Sequence, residues 1–121
     1  MLNLPTSRLT VEVHSTTIVA HGEIDAVTSR ELNETLLTLV DRGNAALDVA
    51  GVDFMDSSGL RVIIDAHVKA KQAGHVFELV NPGPRIRRLI SVTGLDSAIT
   101  MVERDLVPDL DADPTHPTDS R

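Results

Sequence analysis

Asp56, Ser57, Ser58 and Gly59 stand at the head of an apolar repeat, Leu60, Ile63, Ile64 and Val68, that has the spacing of one helix face. An aspartate there is a strong N-cap, because its carboxylate can accept from the backbone N–H groups two and three residues on. The two serine hydroxyls then fall in the first helical turn. A phosphate on either one would lie near unpaired N–H groups and the positive end of the helix dipole. The position therefore tolerates a phosphoserine carrying about −1.5 to −2 charges, although Asp56 opposes that charge. Gly59 lets another chain approach the backbone closely. The chemistry on offer is that of a hydroxyl to be modified and recognised. The plainer reading of the same residues is a helix cap with polar neighbours. No Gly-x-Ser-x-Gly elbow is present to make either serine a hydrolase nucleophile.

The other chemistry-bearing residues point away from catalysis. The chain has no cysteine, which removes disulfides, thiol catalysis and thiolate metal sites and fits a reducing cytoplasm. His14, His21, His67, His75 and His116 show no metal-ligand spacing. Without a glycine-rich phosphate loop, no cofactor is expected, and ATP belongs on a partner. Arg85, Arg87 and Arg88 read as a solvated helix face, or as a secondary contact for an acidic partner. A net charge of −7, with two Phe and no Trp or Tyr, leaves little to neutralise phosphates or stack on bases, so direct nucleic-acid binding is not expected. No apolar run approaches the ~20 residues of a membrane helix, and Met1-Leu2-Asn3-Leu4-Pro5 lacks the basic-then-apolar order of a signal peptide. These features predict a cytoplasmic protein with no membrane association.

The serine loop needs elements around it, and the apolar spacing supplies them. Leu9, Val11 and Val13 alternate with polar residues as in a half-buried strand, and Thr17 to Gly22 forms a second strand after a turn at Ser15-Thr16. Thr28-x-x-Glu31 has the form of a capping box, followed by Leu32, Leu36, Leu39 and Val40 at helical spacing up to Gly43. Ala46–Ala50 reads as a short strand, and a second helix runs from Ser57 to a stop at Gly74. Val76–Val80 is a strand, Pro84 opens a third helix that stops at Gly94, and Ala98–Val102 is a last strand. The order ββαβαβαβ predicts an α/β fold, a mostly parallel sheet with helices packed on it.

Ligands of such sheets sit beyond the carboxyl ends of the strands. Two loops fit that place: Gly22-Glu23-Ile24-Asp25, and Asp53-Phe54-Met55 leading into Asp56. The length suits a single domain, with a folded body over residues 7–104. Residues 105–121 hold five Asp, one Arg and three Pro, a composition that predicts a disordered acidic tail, with Leu106, Val107 and Leu110 docking its first part.

These residues carry a family resemblance. Asp56-Ser57-Ser58-Gly59-Leu60, preceded by Phe54-Met55, resembles the phosphorylation loop of the STAS domain of bacterial anti-sigma factor antagonists. Gly22-Glu23-Ile24-Asp25 is similar to that family's second motif, and Val92-Thr93-Gly94-Leu95-Asp96 to its third. The likeness covers about residues 8–103 and implies a single STAS-like domain that is not an enzyme. It implies a switch: the unphosphorylated antagonist binds an anti-sigma factor that is also a serine kinase, and so releases the sigma factor for transcription. The kinase, holding the ATP, phosphorylates the serine directly before the glycine, here Ser58, and a separate phosphoserine phosphatase reverses this. Asp25, Asp56, Ser57, Ser58 and Gly59 are the partner-binding residues by the same likeness, and the free protein is expected to be a monomer. The alternative is a STAS subunit of another partner-switching pathway that does not control a sigma factor. A small phosphoprotein enzyme is a third class, disfavoured by the missing base–nucleophile pair. Relatives often end in a helix where this chain has its acidic tail.

Overall fold

The computed structural model describes residues 8–104, so the expected tail at 105–121 lies outside the described residues. In chain order the elements are β1 (Leu9–His14), β2 (Thr17–Ile24), α1 (Ser29–Arg42), β3 (Ala45–Met55), α2 (Ser57–Ala73), β4 (Phe77–Val80), α3 (Pro84–Val92), a 3-10 turn (Leu95–Ser97) and β5 (Thr100–Val102). The sheet runs β1-β2-β3-β4-β5, with β1 antiparallel to β2 and the remaining pairs parallel. The order and sheet type are those the spacing predicts.

Strands added in one direction by right-handed crossovers place successive helices on one face of a sheet. Leu32, Leu36 and Val40 of α1, Leu60, Ile63 and Ala66 of α2, and Ile86 and Ile90 of α3 accordingly share one buried core. Their partners in the sheet are Ile18, Leu47 and Leu79, which the parallel registers set side by side. Each of these leucine, isoleucine and valine side chains contributes about 1.5–3 kcal/mol by leaving water. Helix ends are set locally: Gly74, at φ 77°, closes α2 in the left-handed conformation that glycine adopts without strain.

The largest departure from the sequence reading is β3, which runs to Met55 instead of stopping near Ala50. Its pairing with β2 is interrupted twice: Val19 faces Asp48 but His21 faces Gly51, and Gly22 faces Val52 but Glu23 faces Phe54. At each interruption β3 has one residue more than β2, the signature of a bulge. The bulges break the period-2 alternation from which a strand is recognised, so the sequence from Gly51 to Met55 reads as loop. Asp48, 1% exposed, serves the first bulge by accepting the Ala50 N–H at 2.9 Å. The consequence is positional. The pairing reaches Ile24 and Met55, so β2 and β3 end together.

Gly22 makes this end possible. Its φ is 109°, and a Cβ built on it would lie 2.0 Å from the carbonyl oxygen of Arg8. That oxygen accepts the Glu23 N–H at 3.0 Å, so β1 is drawn directly over the glycine. The obstacle is backbone and cannot swing aside. Gly22→Ala is therefore expected to lower unfolding free energy by roughly 1–3 kcal/mol, measured by urea denaturation; an unchanged midpoint would show that β1 is free to shift away.

Candidate functional site

The two motif loops leave the sheet from adjacent strand ends and are joined by a backbone hydrogen bond, Asp56 N–H to Ile24 O at 3.2 Å. Asp56 is the N-cap of α2, with extended backbone and Oδ1 accepting the Ser58 N–H at 2.8 Å. Its carbonyl oxygen accepts from Gly59 at 3.0 Å and from Leu60 at 3.2 Å. The cap is the one the sequence predicts, but it consumes the donors expected to receive a phosphate. In the first turn it leaves at most the Ser57 N–H for an incoming anion. Ser57 is exposed and Ser58 is half-buried, so the two hydroxyls differ in surroundings although they are neighbours in sequence.

Gly59 corrects a second expectation. It is buried, and the atoms close to it belong to the same chain: an added Cβ would lie 2.4 Å from Cγ of Met55 and 2.9 Å from Cγ2 of Ile24. The glycine lets the end of β3 and the end of β2 pack beneath the serine turn. Among the five residues expected to meet a partner, Gly59 thus acts from below, by seating the turn that carries Asp56, Ser57 and Ser58.

The facing loop also folds differently from its expected form. Thr28 precedes α1 but has helical backbone angles and makes no side-chain cap. Its hydroxyl instead accepts the Asp25 N–H at 2.9 Å and donates to Glu23 O at 2.9 Å. The capping is done by Asp25, whose Oδ1 accepts the Val27 and Thr28 N–H groups at 3.0 Å each and whose backbone oxygen accepts from Ser29 at 2.9 Å. A capping box needs its threonine in extended backbone, and the tight Asp25 turn denies it that. Asp25 Oδ2 meets the Arg8 guanidinium, which also pairs with Glu23 at 2.8 Å. The Thr28 N–H, opposed by partial burial and helped by Arg8 and Val27, lowers the Asp25 pKa to about 2. The carboxylate is ionised and occupied by its own chain.

At this end of the sheet two apolar side chains stand out in solvent, Val27 at 74% and Phe54 at 47% exposure. The register sets Phe54 beside Glu23, and Val27 follows in the loop that leaves β2. By sequence Phe54 belongs only to a motif's apolar lead-in; the signal available there is a phenylalanine next to Asp53 in a chain with just two. Phe54 also lines a cleft of about 590 Å³ between the end of β3 and the start of α3, with Val52, Met55, Pro84, Arg85 and Ile86. A smaller groove between α1 and α2 holds Ser57 and Ser58. The third motif makes the turn after α3, with Gly94 at φ 80° and Thr93 Oγ1 donating to Ile90 O at 2.6 Å. Of the three arginines, Arg87 is tied to Pro82 O and Glu103, whereas Arg85 and Arg88 face solvent. Among the described residues no three histidines or carboxylates gather as a metal site, and no helix is long and apolar enough to cross a membrane.

The Asp25 turn has a pH signature. A carboxyl with a folded pKa below its unfolded value binds its proton more weakly when folded, so it stabilises the fold fully above the unfolded value of 3.8 and loses that contribution as pH falls towards about 2. Asp25→Asn should flatten the melting temperature between pH 4 and pH 2 relative to the parent chain. Parallel curves for the two proteins across that range would mean that the turn does not depend on the charge.

A STAS domain family model matches residues 8–110. The anti-sigma-B factor antagonist of Bacillus subtilis is 34% identical over 79 residues, covering 64% of this chain and 72% of that one. An anti-sigma factor antagonist from Mycobacterium paratuberculosis, solved by crystallography, is 31% identical, covers 91% of this chain and 93% of its own, and superposes with a TM-score of 0.64. The anti-sigma factor antagonist SpoIIAA in its unphosphorylated form has the same fold, with a TM-score of 0.66 at 20% identity over 81% of this chain and 89% of its own. The paired loops at the ends of β2 and β3, the serine turn over Gly59 and a family match that spans all of the described residues lead to one assignment: this protein belongs to the STAS domain family.

Proposed function

We propose that this chain works as an anti-sigma factor antagonist, a regulator that acts by binding and has no turnover of its own. Its partner is an anti-sigma factor that is also a serine kinase, whose capture by the unmodified antagonist frees a sigma factor for transcription. The observation that carries this reading is the end of β2 and β3. There a capped serine turn and an ionised acidic turn leave adjacent strand ends, joined by the Asp56–Ile24 hydrogen bond, and Val27 after β2 and Phe54 near the end of β3 both stand in solvent. Exposed apolar groups rimmed by charge are the composition of a protein-binding patch. The curated and crystallographic relatives named as antagonists support the choice of partner.

Ser58 is the phosphoacceptor. The kinase brings ATP; its γ-phosphoryl group passes to Ser58 Oγ, the hydroxyl proton is lost and ADP leaves. A separate phosphatase removes the group by hydrolysis. Ser57, Ser58, Asp56, Val27 and Phe54 form the contact surface, and Asp25 holds the facing loop in shape while a cation of the kinase competes with Arg8 for its Oδ2. The protein is cytoplasmic and monomeric when free.

Phosphorylation switches the surface by charge. At a close interface the phosphate must lose water beside Asp56, facing groups placed to meet a neutral hydroxyl. An unpaired charge buried in this way costs several kcal/mol, and about 2.7 kcal/mol lowers affinity a hundredfold. Calorimetry against the nucleotide-bound kinase should show binding by the unmodified protein, weakening at least a hundredfold on phosphorylation, and unweakened binding by Ser58→Ala. Equal affinities for the modified and unmodified forms would overturn the mechanism, and mass spectrometry placing the phosphate on Ser57 would overturn the choice of serine.

A further inference from the structure

The serine turn opens sideways into the groove between α1 and α2, whose lining includes Arg30, Asn33, Ser57, Ser58, Arg61 and one carboxylate, Asp65. Two arginines therefore share a groove with the phosphoacceptor, one from each helix. Arg61 stands three residues after Ser58, the spacing at which side chains on a helix are neighbours. The Arg30 side chain has no hydrogen bond or ion pair with the described residues. Among the described residues Arg61 is held only by Asp65, at 3.4 Å and with its side chain 77% exposed, an arrangement that contributes little in water. Asn33 lines the same groove, and its Oδ1 is buried without a hydrogen-bond partner. A half turn about its last torsion exchanges that oxygen for an amide N–H₂.

The cap of α2 makes these groups matter. Asp56 already takes the N–H groups of Ser58, Gly59 and Leu60, so a phosphate on Ser58 finds at most the Ser57 N–H in the backbone of the turn. It also arrives beside the carboxylate of Asp56. A dianion with three acceptor oxygens needs donors from elsewhere, and guanidinium groups meet phosphate with two parallel charge-assisted hydrogen bonds.

We propose that Arg30 and Arg61, with Asn33 between them, form an intramolecular clamp that takes the phosphate of phosphoserine 58 and ties the start of α2 to α1. The inference rests on Ser58 as the modified residue. On binding, Arg61 exchanges Asp65 for the phosphate, and Arg30 gains its first partner. The clamp draws the phosphate sideways into the groove and so stabilises the modified state within the antagonist's own fold. The two helices, packed on one core, become bridged at their N-terminal ends only in the phosphorylated form.

The test uses the full chain with phosphoserine encoded genetically at position 58, so that it does not depend on which serine a kinase selects. Phosphorus NMR titration reads the second ionisation of the phosphate. In the parent sequence this pKa should lie at least about half a unit below that in Arg30→Gln/Arg61→Gln, a factor of about three in proton affinity. Each single substitution should remove part of the difference. Both arginines are exposed, so the unphosphorylated double variant should melt as the parent does, which separates loss of the clamp from loss of the fold. Identical titrations in the parent and the double variant would overturn the clamp. A difference removed wholly by Arg61→Gln alone would overturn the bridge to α1. Kinase labelling at Ser57 would instead overturn the reading on which the inference rests, whatever the titration of the encoded form shows.

Discussion

Everything at the functional end of this molecule depends on β2 and β3 ending side by side. The two strands keep their parallel pairing to Ile24 and Met55, and the next residue along, Asp56, adds one more hydrogen bond back to Ile24. Two bulges in β3 make the lengths agree, each taking up a residue that β2 lacks. Because the pairing is made of backbone groups, it fixes the loops without reference to their side chains. That frees the side chains of the loops for recognition, while the burial of Ile18, Leu47, Leu79 and their helical partners holds the strands in place.

Close approach is the second theme, and glycine serves it in two ways. Gly22 accepts the carbonyl of Arg8 almost against its α-carbon, which brings β1 across the end of β2 and delivers Arg8 to Glu23 and Asp25. Gly59 accepts Met55 and Ile24 beneath the serine turn. A side chain at either place would push apart elements whose spacing sets the positions of Asp25 and Ser58. The apolar packing below and the charged groups above are thus parts of one arrangement.

The electrostatics of the site are organised by occupancy. Asp25 is ionised because N–H groups and a guanidinium already hold it, and the first turn of α2 is satisfied because Asp56 already holds it. A phosphate on Ser58, the acceptor proposed above, would meet a site whose backbone donors are nearly all in use. It would have to be received by side chains or rejected at an interface, and both outcomes would make the unmodified and modified states distinct. Val27 and Phe54 stand in solvent apart from that charge.

The order of elements, the strand and helix types and the position of the serine turn were all readable from residues within a few places of one another. Periodicity, the Asp56 cap and the Gly74 stop are short-range effects, and the motif spacing that marked the family lies along the chain in the same way. The extent of β3 was not readable, because its bulges answer to the register of another strand and erase the alternation that would announce it. Nor was the work of Asp25 and Thr28: a threonine followed three residues later by glutamate has the form of a capping box, yet the cap went to an aspartate held by Arg8, 17 residues away. Gly59 could be recognised as a place for close approach, but whether a partner or its own chain comes near depends on what β2 and β3 bring beneath it. Short-range chemistry could propose each group's role; which donors were still free, and which neighbours filled the space, were settled by contacts between segments far apart in the chain.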